Sequence, residues 1–365
     1  MPLMPGMSMV SYPSALAVAL FYRACLVAAV VIALGAFAAR GWLARMARAE
    51  DDASPAVAPY RNTLALWLGA LWTLDAILQA QPEMATRFIG GFLAPLLAGQ
   101  PAPVADLIRV GMRLWGTSPI WFNVFAAFLQ LLIGLAILLS RDGAPLRRLA
   151  LAASIAWGVA VWCMGEAFGS VFSAGGPLVG SPGSVFLYMA AAALLLLPRS
   201  HWEAGGRLWR WLPVGFAAFF ALTTLLEALP AAGWWTASGL ATYVGGMARM
   251  PQPALVAAPL AAWAASLARH PDAWNAAIVA AGLTLLLAWL VRPRSALTLW
   301  ATVAWTLLVW YFGQDFGVLG GMGTDPNTGA ILLVFAVLWG ERIGVFGHVA
   351  ERAPLRGLLA NARER

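Results

Sequence analysis

The chain reads as an all-α polytopic membrane protein of nine transmembrane helices. They are arranged 1 + 4 + 4: one extra N-terminal helix, then two parallel four-helix repeats with outer interfacial helices. Three observations predict this. Of 365 residues, 61% are hydrophobic and only 11% charged, against about 25% charged in an average soluble domain. The basic residues divide sharply between alternate loops, and the sequence repeats itself at a fixed offset. The composition excludes a soluble enzyme, a disordered chain and a nucleic-acid-binding module. The net charge of +7 does not change that, because the 23 basic residues, all arginine, are too sparse for a DNA-binding surface.

Nine segments are long and apolar enough to span, near residues 15–39, 63–80, 120–139, 149–171, 184–197, 211–229, 274–291, 297–318 and 330–347. A span needs about 20 residues of helix; the fifth is the shortest. The first ends in Ala36-Phe37-Ala38, which resembles a signal-peptidase site. Arg23 interrupts it, however, and Arg40, Arg45 and Arg48 follow it. That pattern predicts an uncleaved anchor with its N-terminus outside. With nine spans, 17 arginines fall on one side and Arg87, Arg109, Arg113, Arg249 and Arg269 on the other. Arginine-rich loops stay in the cytoplasm. The expected location is a bacterial-type cytoplasmic membrane, with the C-terminus inside.

The duplication sets the internal boundaries. Trp162-Cys163-Met164-Gly165-Glu166-Ala167-Phe168-Gly169 matches Trp310-Tyr311-Phe312-Gly313-Gln314-Asp315-Phe316-Gly317 at an offset of 148. Leu78-Gln79-Ala80-Gln81-Pro82 matches Leu226-Glu227-Ala228-Leu229-Pro230 at the same offset. Trp121-Phe122-Asn123 has a shifted counterpart in Ala273-Trp274-Asn275, and Ser181-Pro182 and Asp325-Pro326 each open the last helix of a unit. The expected division is 1–61 for the extra helix and its cytoplasmic loop, 62–200 and 201–348 for the repeats, and 349–365 for a cytoplasmic tail. Four spans per repeat is an even number, so both units enter the membrane alike, related by an axis along its normal. The outer excursions 81–119 and 230–272 each carry two short helical patterns, 86–97 with 104–114 and 235–248 with 254–268. These are too short to cross.

Polar groups inside spans cost several kcal/mol, so they are functional candidates by default. Asp75 and Gln79 lie one turn apart on one helix face, with Asp75 about 7 Å from the outer end of its span. Glu166 follows Trp162 by one turn. In the second unit Glu227 takes the Gln79 position, Thr223 the Asp75 position and Gln314 the Glu166 position, with Asp315 beside it. The spacing supports a proton- or cation-binding site on the outer side, with Trp162 and Trp310 lining it. It equally supports structural pairing of these acids with Arg87, Arg109 or Arg249. The glycine pairs Gly165/Gly169 and Gly313/Gly317 suit close helix packing between the units, and Asp325 suits a helix cap. Methionines gather on the outer side; Met4, Met7, Met9 and Met164 are candidate Cu(I) ligands, since thioethers suit that ion. Cys25 and Cys163 sit in apolar stretches, so no disulfide framework is expected. Zinc, nucleotide, haem-attachment and nucleophile motifs are absent.

One unit resembles the four-helix membrane family named for DoxX and DoxD. The likeness lies in Leu71 to Pro82, in the run Leu131-Leu132-Ile133-Gly134-Leu135-Ala136-Ile137-Leu138-Leu139, and in the short basic turn before Leu149. It implies a quinone-linked thiol or thiosulfate oxidation setting, with a membrane or redox-complex partner. This chain departs from that pattern in its duplication and its lack of paired outer cysteines. The leading expectation is a non-enzymatic transporter or binding protein for a proton, metal ion or small solute. A quinone-binding subunit of an oxidoreductase is the second expectation, and copper handling the third. Asp75 and Glu166 should converge, near Glu227 and Gln314.

Overall fold

The computed structural model describes residues 14–48, 57–317 and 323–346, and all secondary structure among them is helical. The helices are α1 (Ser14–Ala38), α2 (Arg40–Met46), α3 (Ala58–Gln79), α4 (Pro82–Arg87), α5 (Ala102–Gly116), α6 (Pro119–Leu139) and α7 (Pro145–Met164). They continue as α8 (Ser184–Leu196), α9 (Leu208–Ala228), α10 (Ala237–Ala248), α11 (Ala254–Arg269), α12 (Pro271–Val291), α13 (Ala296–Phe312) and α14 (Asn327–Arg342). Proline sets several of the starts: α3, α4, α5, α6 and α12 carry it at a first-turn position, where no backbone N–H is missed and φ is already helical.

Among the described residues, five helices are long and apolar enough to cross a bilayer: α1, α6, α7, α9 and α12. A sixth candidate is α3 taken with the helical stretch Pro82–Leu97, bent by 62° between them. Nine spans were expected; α13 and α14, with 17 and 16 residues, fall short of a span's length together with α8. Helices α7 and α13 stop at Met164 and Phe312 rather than running on to 171 and 318. α8 has 13 residues, about 20 Å against a hydrocarbon core of about 30 Å. The missing depth is occupied by irregular chain at 165–183, much of it buried. Non-helical backbone at membrane depth is tolerated where protein covers it. The segments 81–119 and 230–272 hold α4 with α5 and α10 with α11; α5, α10 and α11 match expected short patterns, whereas 86–97 is not one regular α-helix but continues from α4 as irregular helical turns.

Helix α3 packs along α6 through Gly69 and Gly134, where a Cβ on Gly134 would strike Thr73 and the Gly69 carbonyl. In the C-terminal half α9 packs along α12 in the same way, with Gly282 against Thr224. Gly282 is the residue 148 positions after Gly134. One core joins both halves, with Trp72, Tyr188, Phe220, Trp289 and Trp339 at its centre. Trp72 donates to Ser154 Oγ at 2.8 Å and Trp289 to Thr302 Oγ1 at 2.9 Å, and these two hydroxyls are themselves 148 positions apart. Helix α1 is peripheral, seating Phe21 and Ala24 against Ala85 and Val124, while Leu26, Val31, Leu34 and Phe37 stay exposed, a lipid-facing pattern.

At the start of α3, Arg61 is buried and makes bonds of 2.9 Å to both oxygens of Asp142. It also donates to the carbonyls of Leu195 and Leu197 at the end of α8. This arginine is a structural clamp in place of a loop charge, tying α3, the α6–α7 turn and α8 together at one end of the bundle.

Replacing Gly134 by Val should lower thermal stability by about 1–3 kcal/mol through forced separation of α3 and α6. Gly35→Ala on α1, where an added Cβ meets nothing within 4 Å, should stay within about 0.5 kcal/mol. Unfolding followed by circular dichroism in detergent checks both.

Candidate functional site

The breaks after α7 and α13 are the same turn made twice. Ala167, Phe168 and Gly169 have φ of 50, 58 and 63°, and Asp315, Phe316 and Gly317 have 49, 55 and 73°. Ser170 extends the first run to four, with φ of 60°, and because left-handed backbone is costly for non-glycine residues, such runs must be held from outside. Trp162 holds the first turn, packing edge-on to Phe168 at 4.9 Å and donating to the Pro182 carbonyl at 2.7 Å. Trp310 does the same with Phe316 at 4.9 Å and the Pro326 carbonyl at 2.6 Å. These tryptophans therefore brace the turns and do not line the cavity. The glycine expectation also changes. Gly169 and Gly317 are not on a helix face; their bare Cα atoms let the turn touch the backbone at Pro182–Gly183 and at 325–327. Gly313 does meet the opposite half, at Leu178.

Each turn presents a side chain to the start of the next helix. Glu166 Oε1 accepts from the Val185 N–H at 3.2 Å, and Gln314 Oε1 from the Gly329 N–H at 3.1 Å. Anionic oxygen is favoured at helix N-termini. The two helix starts also cross-connect. Ser184 on α8 bonds Asp325 Oδ1 of the opposite half at 2.9 Å, while Thr328 on α14 donates to the Gly180 carbonyl. Ser184 lies 2.6 Å from Glu166 Oε1 as well. A hydroxyl has one proton to give, so it cannot satisfy both carboxylates. The carboxyl left without the Ser184 proton keeps a backbone donor, the Val185 N–H for Glu166 and the Asn327 N–H for Asp325.

Asp75 lies on the wall of the same cavity, which has a volume of about 450 Å³ and also takes in Gln79, Glu166, Ser184 and Asp325. Asp75 is 2% exposed, stands beside the Tyr188 hydroxyl and lies within the field of Glu166 and Asp325. Its Oδ1 has no hydrogen-bond partner, nor does Gln130 Oε1 on the facing wall. Among the described residues no arginine or histidine lines the cavity. Asp75 also sits in the last turns of α3, where the helix dipole disfavours a negative charge. Glu166 and Asp325 each have a capping role to explain them; Asp75 has none. Part of the wall is aromatic, with Phe92, Phe88, Trp115 and Phe122 in one unbroken ring-to-ring chain at 5.7, 4.7 and 5.4 Å; aliphatic residues and glycines make up much of the remainder.

The structure brings Asp75, Gln79 and Glu166 together but places Glu227, Gln314, Asp315 and Trp310 elsewhere. Asn275, with its amide nitrogen turned towards Glu227, donates to Oε1 at 3.0 Å. That mirrors Gln79, which donates to Asn123 at 2.7 Å. The space beside Glu227 and Gln314 is filled by the α7–α8 connection. Leu178 is buried among Trp234, Leu240, Val244 and Leu260, Gln314 Nε2 donates to the Pro177 carbonyl at 3.0 Å, and Gly176 lies against Glu227 Oε2. Asp315 is buried facing Gln252. The four acids therefore do not share one site. Nor do they pair with the outer arginines: Arg109 bonds Asp106 instead.

No family model matches the chain, nor does any curated protein or solved structure. The site thus stands on its own geometry. Among the described residues no group of three or more His, Cys, Asp or Glu converges closely enough to hold a metal ion. Met164 reaches the cavity wall against Gly111, while Met4, Met7 and Met9 lie outside the described residues. Asp325, Ser184 and Tyr188 are the site residues that spacing did not single out. The signal for Asp325 was present: it is the one acid adjoining the start of a unit's last helix.

Asp75→Asn should raise thermal stability by about 1–2 kcal/mol, because it removes an unpartnered buried acid. Gln314→Glu should lower it by about 1–3 kcal/mol, since a carboxylate would then face the Pro177 carbonyl. Thermal unfolding of both variants decides this; equal destabilisation would make Asp75 a structural partner.

Proposed function

We propose that this chain is a multi-pass membrane protein, in a bacterial-type cytoplasmic membrane, that binds or transports a proton or cationic solute through an outward-facing carboxyl site. In this reading the nine spans form the 1 + 4 + 4 arrangement, with the N-terminus outside and the C-terminus inside. The repeated turns, the repeated Trp-to-Pro carbonyl bonds and the Gln79–Asn123 and Glu227–Asn275 pairs support the two-unit layout. The Asp75 cavity lies at the opposite end of α3 from Arg61, about 21 Å along the helix, and so on the arginine-poor side.

The observation that carries the function is the cluster of Asp75, Glu166 and Asp325 around one cavity with no cationic residue in its wall. Like charges in a poorly hydrated site cannot all be ionised together. A cation entering the cavity supplies the missing counter-charge, so a proton leaves as it binds. Ser184 links Glu166 and Asp325, and Asp75, an acid of the same wall that caps no helix start, is the one that meets the incoming charge.

A second reading, a quinone-binding partner of an oxidoreductase complex, is favoured by the aromatic wall and by the DoxX-like resemblance. For copper, the cavity offers a single thioether among the described residues, Met164.

Proton release on cation binding tests the main reading. Purified protein in weakly buffered lipid nanodiscs is titrated with sodium, calcium and ethylammonium chlorides while a pH dye is followed. At least one salt should release protons from the wild type, and the amplitude should fall at least about tenfold in Asp75→Asn with Glu166→Gln. Release of equal size in the double variant would contradict the assignment.

A further inference from the structure

We infer that the ligand of the Asp75 cavity is an organic ammonium ion with an apolar, aromatic-sized body. This rests on the carboxyl-site reading above and names its substrate class.

The cavity wall is sorted into two chemistries. Asp75, Glu166 and Asp325 stand in one region, and the ring chain from Phe92 to Phe122 lines another. A bare metal ion would use only the first, and these acids do not converge into a metal-holding group among the described residues. They are spread around a space of about 450 Å³, within the range of small-molecule pockets. An anion is disfavoured, because nothing cationic lines the wall. A neutral apolar molecule would offer no donor to the carboxyl oxygens of Asp75, Glu166 and Asp325 in the wall, which is costly. An ammonium head donates to these oxygens, while its body lies on aromatic faces that attract both apolar surface and positive charge.

The second half of the chain supplies an internal comparison. There the position of Glu166 is held by Gln314, whose amide donates to the Pro177 carbonyl while Leu178 fills the apolar space. That occupant has a polar head that accepts and an apolar body. At Glu166 the polarity is reversed: both carboxylate oxygens can only accept when ionised, so the matching head must donate. Thr223, the counterpart of Asp75, bonds the Phe219 carbonyl of its own helix at 2.9 Å and asks for no ligand.

Isothermal titration of the full chain in nanodiscs tests this, with benzylammonium chloride as probe and empty nanodiscs as the blank. Benzyl alcohol, benzoate, sodium chloride and menadione serve as comparisons. Benzylammonium should bind saturably, at least about tenfold more tightly than benzyl alcohol, with benzoate not binding. Asp75→Asn should weaken it at least about tenfold and Trp115→Leu about threefold or more. Asp315→Asn, a buried acid outside the cavity, should bind as the wild type does and shows that loss of an acid alone is not the cause. Glu166→Gln gives a second variant expected to fold, because Gln314 already makes the same helix-start bond, and it too should weaken binding. Equal affinity for benzyl alcohol, or menadione binding indifferent to Asp75→Asn, overturns the inference. Proton release by sodium or calcium with no benzylammonium binding would overturn it while leaving the carboxyl-site reading intact. Neither proton release nor benzylammonium binding would overturn both.

Discussion

Ser184 stands between two carboxyls from opposite halves of the chain, and its single proton cannot serve both. Glu166 arrives on the turn that ends α7, Asp325 on the segment that begins α14, and both contacts are made where α8 starts. Everything that places the cavity follows from holding these segments together. The left-handed turn at Ala167–Gly169 aims Glu166 at the α8 start, Trp162 pins the facing loop, and Gly183 leaves room for the carboxylate. At the far end of the bundle the buried Arg61–Asp142 pair ties α3 to α8, which fixes Asp75 relative to Glu166.

The two halves share a scaffold and differ in what they leave open. In the C-terminal half, Gln314, Thr223 and Asn275 close their hydrogen bonds within the protein, and Leu178 occupies the interior. In the N-terminal half, the matching positions hold Glu166, Asp75 and Asn123, and the interior is a cavity. Glu227 keeps one carboxyl in the filled half, facing Gly176. The second copy of the scaffold is filled where the first is open, although Asp315 and Glu227 Oε2 there also lack hydrogen-bond partners among the described residues. Asp75, unlike Glu166 and Asp325, caps no helix start. Such a residue persists where function needs it.

The helical, membrane-type class was legible because apolar runs and sparse charge are properties of sequence windows. The offset of 148 was legible because side-chain identity repeats, and it correctly paired Trp162 with Trp310 and Glu166 with Gln314. What the pattern did not carry was the backbone. Gly165-x-x-x-Gly169 reads as a helix face, yet the chain leaves the helix at Met164, since the turn is stabilised by Phe168 packing on Trp162 and by contact with Pro182, a residue the helical period does not bring near it. For the same reason the spans near 149–171 and 297–318 were drawn too long. Asp325 read as a cap, and it does accept from the Asn327 N–H at 2.6 Å. Its second role needs α8 beside it, a contact between residues 141 positions apart. Periodicity carries no information about such a contact. The filling of the second site by Leu178 was hidden for a related reason, because a loop's destination is set by the cavity that receives it.

Infrared difference spectroscopy on adding benzylammonium tests the central claim most directly, that one open site holds shared protons which a cation displaces. The expected result is loss of the protonated-carboxyl C=O band with a matching gain of carboxylate bands. That change should be strongly reduced in Asp75→Asn and Glu166→Gln and unaltered in Glu227→Gln. A spectrum with no carboxyl change, or one abolished by Glu227→Gln instead, would contradict it.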